Sequence, residues 1–439
     1  MITTKYIRDN IDEIRKSMEK RRSDYPIDEL LKLDENSRKI NTQIQELQKQ
    51  RNIGSKEISE LKKQGKKIDE TKVKELANIG KKIQDLENKT IEEKKRIDEL
   101  LWNMPNILDE SVPYGKDDAE NIELKRFGNI KKHEMPSHTE ILEKLNLIDL
   151  EQAAKVSGAR FYYLRGELAL LEQALIRFAI DRLTKKDYEL LSPPLMIKKD
   201  YYRGSTALGD FEEALYKIAD TSESKNKTEY EKLEDDLFLI STSEHSMAVY
   251  NAEKVFTGSE LPKKYIAVTP CFRREAGSHG KDTKGIFRVH HFYKVEQFVV
   301  SKPENSEKFF EEIINNAEEL VKELELPYRI INICTGDIGT VAAKKYDIEV
   351  YMPSQNKFRE IVSGSNCTNW QSLRLDIKYD ELGKRNYVHT LNCTAIATTR
   401  IILGIVENNF ITEKNIIKIP NALIPYMNGK KEIKGNMKV

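Results

Sequence analysis

The 439-residue chain has four cysteines, Cys271, Cys334, Cys367 and Cys393, and no CxxC pair among them. They form no disulfide framework, which argues for a reducing compartment and against a zinc ribbon. No apolar run approaches the roughly 20 residues that cross a bilayer. The N-terminal MITTKYIRDNIDEIRK is too charged for a secretory signal. A cytoplasmic protein with no membrane partner is therefore expected. Neither a Walker loop nor a GxGxxG occurs, so any phosphate is held by another device. Charge of one sign is not in excess either. Against 73 Lys+Arg stand 72 Asp+Glu, a formal net charge of +1. A nucleic-acid partner must therefore be sought in local patches.

Hydrophobic residues make up only 39% and charged residues 33%. A long solvated segment within a chain of two or three domains accounts for both values. From Pro26 to Trp102 there is one proline and hardly any aromatic residue. Apolar residues recur at sevens: Leu33, Ile40, Leu47 and Leu61, flanked by Leu30, Ile44 and Ile58. After Gly65 the series returns as Leu76, Ile83 and Ile97, beside Ile79, Leu86 and Leu100. This is a heptad pattern. The break at Gln64-Gly65 predicts two antiparallel helices, an arm of roughly 55 Å at 1.5 Å per residue. A single straight helix dimerising in parallel is the alternative. Gly54 and Arg51 fall at core-phase positions, which weakens the seam there. Near the tip, Lys56, Lys62, Lys63, Lys66 and Lys67 lie in a stretch with few acids. They are a solvated helix surface or a contact for a phosphate backbone.

Residues 105–130, with Pro105, Pro113 and Gly115, read as a linker. A long amphipathic helix is predicted over Ser157–Lys186, ended by Pro193-Pro194. Short apolar runs follow at Leu237–Ile240, Tyr265–Val268, Lys294–Val300, Tyr328–Ile333 and Ile348–Met352. Helices are predicted at Asn305–Leu324 and Ala395–Asn409. The pattern is α+β, a mostly antiparallel sheet flanked by helices. The polar stretch 220–236 reads as a surface loop.

Residues 269–292 read TPCFRREAGSHGKDTKGIFRVHHF. Two strand-like ends flank a Gly/Ser/Asp loop, a hairpin pattern. Strand alternation would put Arg273 and Glu275 on one face, with Arg288 nearby and Phe292 as an aromatic platform. Such a surface either clamps a phosphate and stacks a purine, or is an exposed, salt-bridged hairpin.

The stretch FRREAGSHGKDTKGIFRVHHFYKVEQF resembles motif 2 of class II aminoacyl-tRNA synthetases, in the form of the seryl-tRNA synthetase family. HTLNCTAIATTRIILGIVENN resembles motif 3. GARFYYLRGELALLEQALIRFAIDRL, with the following prolines, resembles motif 1. PNILDESVPYGKDDAEN, DLFLISTSEH, REIVSGSNCTNWQSLRL and IPNALIPYMNG fill the intervals, so the resemblance spans the chain in order. The ATTR and TSE forms are closer to archaeal and eukaryotic members.

The resemblance implies a class II synthetase fold at 131–439, a linker, and an N-terminal tRNA-binding domain at 1–104 with its coiled-coil arm at about 26–102. It implies that L-serine is activated with Mg²⁺ and ATP and passed to the terminal adenosine of tRNA(Ser), and of tRNA(Sec) where that tRNA exists. It implies a homodimer, with motif 1 at the interface and the arm reaching tRNA on the other subunit. No zinc is expected. Thr242, Ser243 and Glu244 would bind serine, together with Glu296, Asn392 and Thr394. Arg273 would hold the serine carboxylate and the α-phosphate. Arg274, Glu275, Arg288, Val289 and Phe292 would form the nucleotide wall, Glu275 meeting the adenine amino group. Arg400 would cover the other adenine face, near the γ-phosphate. Glu360 and Ser363 would hold Mg²⁺, with Ile361 and Val362 between them beside ATP. His291 stands where the family commonly has Gln, and no role is carried over to it.

Serine carboxylate is already ionised at neutral pH, so its attack on phosphorus needs placement and charge neutralisation rather than a base. Two rivals stay open. A paralogue that loads a carrier protein would typically lack the arm. A non-catalytic coiled-coil binding protein would not need Arg273, Glu275, Glu296, Glu360 and Arg400.

Overall fold

The heptads fold as a helical hairpin. In the computed structural model, which describes all residues except 1–2, 68, 131–134, 208–211, 219–235, 276–283 and 436–439, helix α1 (Ile27–Lys63) and helix α2 (Glu70–Asn103) run antiparallel. The chain forms two compact units, Met1–Pro105 and Asn106–Val439. Gly65, at φ 65°, supplies the left-handed turn after α1. Asp69 caps α2 by accepting from Thr71 N at 2.9 Å. Ion pairs Arg96–Glu29 (2.8 Å) and Lys72–Glu57 (3.3 Å) mark the antiparallel register near each end. Ile40, Ile44 and Ile83 are buried between the helices, packed against Leu47, Ile79 and Leu86. Each contributes about 1.5–3 kcal/mol of apolar burial. From Ile53 outward no side chain of α1 is buried, and Gly54 lies against Leu76. The seam is thin where Arg51 and Gly54 interrupt it. Among the described residues no helix is long and apolar enough to cross a membrane.

The second unit is built on an eight-stranded sheet. Its strands are β1 (Ile122–Phe127), β2 (Glu189–Leu191), β3 (Lys263–Phe272), β4 (His291–Ser301), β5 (Tyr328–Asn332), β6 (Lys344–Met352), β7 (Lys357–Asn366) and β8 (His389–Ala397). Their spatial order is β1-β5-β6-β7-β8-β4-β3-β2. All neighbours pair antiparallel except β2 with β3, which are parallel. The large core lies on one face, under helix α3 (Glu167–Leu183), helix α5 (Ser306–Glu323) and helix α6 (Thr398–Asn409). Leu171, Phe178, Phe310 and Ile402 of these helices meet Val295, Val299 and Ile348 of the sheet. The opposite face packs Phe298 and Val300 of β4 on Met247 and Ala248 of helix α4 (Ser243–Tyr250). Strand β4 thus buries both faces, as a central strand must.

Four sequence expectations are corrected. The helix expected over 157–186 begins at Glu167, because Gly158 (φ 93°) and Gly166 (φ 53°) break the chain before it. Residues read as linker carry strand β1, which pairs with β5 at the sheet edge. The helix expected from Ala395 begins at Thr398, and the three residues before it finish β8. The expected hairpin strands stop at the Phe272–His291 pair, leaving Arg273, Glu275 and Arg288 beyond the ladder. The 220–236 loop lies outside the described residues apart from Asp236.

Candidate active site

Beyond the Phe272–His291 pair the backbone is held by further bonds. Arg273 N donates to His290 O at 2.9 Å, and His290 Nδ1 lies 2.7 Å from Arg273 O. Glu275 then turns through a left-handed φ of 52°. On the returning side Gly285 has φ 80°, and a Cβ there would run into the His138 ring. The two arginines therefore sit on a pinned rim rather than on strands, yet both face the same cleft.

That cleft has a volume of about 520 Å³. Of the residues singled out in the sequence, Thr242, Glu244, Arg273, Glu275, Arg288, Phe292, Glu296, Glu360, Ile361, Ser363, Asn392, Thr394 and Arg400 line it. They come from β4, β7, β8, the N-terminus of α4, the start of α6 and the pinned rim. The sheet therefore brings into one wall what the sequence spreads from Thr242 to Arg400. Ser243, Arg274, Val289 and Val362 do not line it. Ser243 is fully buried in the first turn of α4. Val289 and Val362 belong to the main core. His291 packs on Phe272 and Tyr293 with ring centroids 5.4 and 5.5 Å away, outside the cleft.

Strand alternation explains the central wall. Phe292, Lys294 and Glu296 occupy one face of β4, while Val295 and Val299 point into the core. Glu296 stands opposite Thr394 in the ladder, and Thr394 Oγ1 donates to Glu296 Oε2 at 3.2 Å. Glu244 accepts from Gln371 Nε2 at 2.9 Å. Burial, and then repulsion by Glu296, push its carboxyl up to about 7 against the pull of Lys294 and Arg273. His245 sits beneath, its nitrogens 3.2 Å from Ser205 Oγ and 3.1 Å from Ser241 Oγ. Burial, with help from Lys294 and Arg273, drives its imidazole down to about 3, so it stays neutral.

The other end is cationic. Arg273 Nε donates to Ser241 O at 3.3 Å, and its guanidinium lies 5.3 Å from the Phe292 ring centre. Arg288 pairs with Glu275 at 3.0 Å. Arg400 Nη1 donates to Glu360 Oε1 at 2.8 Å and to Glu360 O at 3.1 Å. Burial opposes ionisation of Glu360, but Arg400, Lys345 and Arg273 outweigh it and hold the carboxyl well below the usual range. Glu407, also on α6, is taken by His138 at 2.8 Å, so it is not the partner of Arg400. The arginines rest on rings: Arg400 lies 5.1 Å from the centre of Phe287.

Lys294, Lys345 and Phe287 were missed by sequence reasoning. A lysine inside the apolar run YKVEQFVV carries no local signal that it is buried. The oxygen donors of Glu360 and Ser363 suit a hard cation such as Mg²⁺. Behind them Asp347, opposite Ser363 in the ladder, has a buried Oδ1 without a hydrogen-bond partner among the described residues. With two protein oxygens, the rest of such a site would be supplied by water and phosphate oxygens. Among the described residues no group of three or more His, Cys, Asp or Glu is placed to hold a metal.

A helix-flanked, mostly antiparallel sheet that carries cations, an aromatic ring and a carboxylate-threonine pair on one cleft wall is the arrangement of a class II aminoacyl-tRNA synthetase. Residues 226–409 match the model of the tRNA synthetase class II core domain (G, H, P, S and T). Residues 1–108 match the seryl-tRNA synthetase N-terminal domain. The chain is 44% identical to a serine--tRNA ligase of Thermococcus onnurineus, over 100% of this chain and 98% of that one. The crystal structure of seryl-tRNA synthetase from Pyrococcus horikoshii complexed with ATP superposes with a TM-score of 0.90 at 45% identity, covering 99% of each chain. The cytoplasmic serine-tRNA ligase from Naegleria fowleri in complex with AMP gives 0.84 at 35% identity, covering 97% of this chain and 96% of that one. The chain belongs to the seryl-tRNA synthetase family.

Proposed function

We propose that the cleft activates L-serine with ATP and that the chain then transfers serine to tRNA(Ser). The observation that carries this reading is the Glu296–Thr394 pair, 3.2 Å apart, on the same wall as Arg273 and Phe292. The carboxylate faces the serine ammonium, while Thr394 and Asn392 meet the hydroxyl. A pocket that hydrogen-bonds this hydroxyl leaves its own groups unpaired with alanine, and rejects it. Arg273 leaves the Phe292 ring to hold the serine carboxylate and the α-phosphate, and adenine takes its place on the ring. Glu275 accepts from the adenine amino group. Arg400 turns from Glu360 toward the γ-phosphate.

The serine carboxylate oxygen attacks the α-phosphorus in line, and the bond to the bridging oxygen of pyrophosphate breaks. Arg273 and Arg400 face the charge that develops on phosphorus and on the leaving group. Glu360 and Ser363 would hold Mg²⁺, which supplies further positive charge to the phosphates. The 3′-terminal adenosine then attacks the seryl carbonyl and AMP leaves.

Serine-dependent ATP–pyrophosphate exchange tests this reading. Glu360→Ala and Arg400→Ala should each lower exchange by about 10²-fold or more, the scale of losing a charge stabiliser from a transition state. Exchange driven by another amino acid, and not by serine, would refute the specificity. Exchange untouched in both variants would refute the site.

The arm supports tRNA binding. Lys56, Lys62, Lys63, Lys66 and Lys67 are all exposed. Strand β2 and the segment after it support a homodimer. Leu190, on a strand whose outer edge pairs with no other strand among the described residues, and Met196, in a separate two-stranded sheet, are each 47% exposed.

A further inference from the structure

Lys294 lies on the cleft face of β4 between Phe292 and Glu296 and takes no part in the activation steps. Its side chain keeps 7% exposure and that of Glu296 2%, with Nζ 2.6 Å from Glu296 Oε2. That oxygen also accepts from Thr394 Oγ1. In the ladder Lys294 stands opposite Thr269 and Ala397, neither of them charged. Burying an ammonium costs several kcal/mol unless it is well paired, and an apolar side chain of similar length would pack here without that cost. A structural role alone does not explain a cation at this position.

The surrounding charges do. Two carboxylates, Glu296 and Glu244, face this end of the cleft. The other titratable and charged groups around them are Lys294, the Arg273 guanidinium, the neutral His245 ring and the thiols of Cys367, Cys271 and Cys393, each of which burial above all keeps protonated. Two neighbouring carboxylates in a buried pocket repel, and one of them takes a proton unless a cation compensates. A protonated carboxyl is a poor partner for an ammonium.

We infer that Lys294 is a positioning residue, the counter-ion that keeps the Glu296 carboxylate charged and aimed for the ammonium group of the amino-acid substrate. Serine then brings a second cation to a carboxylate already desolvated and oriented. This inference rests on the reading of Glu296 as the ammonium partner.

The test is K294M and K294R in the full-length chain, with KM for serine and for ATP measured by pyrophosphate exchange across neutral pH. Burial raises the carboxyls of both Glu244 and Glu296, and Lys294 pulls each of them back down. Its removal raises both, so the fraction charged falls most on the acid side. K294M should raise the serine KM at least about tenfold near pH 6.5 and much less near pH 8.5. The ATP KM should stay within about twofold. K294R keeps the charge and should keep the parent's pH profile, with a serine KM raised by its displaced geometry. A K294M effect equal at every pH, or one shared by the ATP KM, overturns the inference. If K294M does not fold, K294R decides, and a shifted pH profile in that variant overturns it. E296Q separates the two readings. An unchanged serine KM in E296Q removes the ammonium reading itself. A loss in E296Q beside an inert K294M removes the role of Lys294 alone.

Discussion

Two carboxylates in one cleft are driven in opposite directions, and the sign of each matters for stability. Burial and Glu296 raise Glu244 from 4.5 to about 7. The folded chain keeps a proton there that the unfolded chain has lost. Its stabilising contribution is complete below about 4.5 and is lost as pH rises through about 7, an effect on the order of 1–3 kcal/mol. Glu360 behaves in the opposite way, since Arg400, Lys345 and Arg273 overcome its burial and lower it. Its contribution is present above the unfolded value and is lost as pH falls through the depressed one. The variant E244Q should therefore flatten the decline in Tm between about pH 5 and 8 and leave the acid limb unchanged. Calorimetric scans in the ligand-free state check this. A parental slope in E244Q over that range would mean that Glu244 is ionised throughout.

At the scale of elements, the arm divides into a packed base and a bare tip. Ile40, Ile44 and Ile83 are buried between the helices, whereas from Ile53 outward α1 buries no side chain. Lysines on a solvated two-helix tip contribute to binding mainly through counterion release. Replacing Lys62, Lys63, Lys66 and Lys67 together by alanine should weaken tRNA binding and reduce the slope of log K against log salt by about 2–4. Serine-dependent pyrophosphate exchange should stay within about twofold, because the cleft is built wholly from the second unit. Filter-binding titrations at several salt concentrations measure the slope. An unchanged slope would take the tip away from the phosphate backbone.

The same elements show what a sequence can display. The heptads were legible because a two-helix seam repeats one contact many times. The apolar strands were legible because a central strand must be hydrophobic. Strand β1 was not, since all six of its residues, Ile122–Phe127, are exposed and carry no alternation. The split before α3 depended on two glycine φ angles that no periodicity encodes. In the cleft, motif resemblance located Arg273, Glu296, Glu360 and Arg400. Lys294 and Phe287 stayed invisible, because their roles come from neighbours in the fold, Glu296 for the lysine and Arg400 for the ring. Lys294 and Glu296 sit only two residues apart, yet nothing local reveals that both are buried.

At the scale of the whole molecule, strand β2 is the open question of the sheet. Among the described residues it pairs only with β3, which leaves its outer edge without a neighbouring strand. Beside it lies a cavity of about 490 Å³ lined by Leu191, Pro193, Pro194, Met196, Tyr201 and Tyr250. Leu190 and Met196 at 47% exposure and Tyr250 at 51% add apolar surface to an unprotected edge. A monomer would carry both an unpaired edge and an apolar patch, a combination that invites association. A second copy meeting this face by two-fold symmetry would cover each patch with its equivalent. The protein should sediment at twice its 50.9 kDa chain mass. Contacts made by apolar side chains are insensitive to salt, so the mass should hold at high ionic strength, where pairing by exposed charges would weaken. Leu190→Asp combined with Tyr250→Asp puts two like charges on each copy's contact face and should halve the sedimenting mass. Circular dichroism of the doubly substituted chain would establish that it still folds. A folded variant that sediments as the parent does would place the dimer contact on another face.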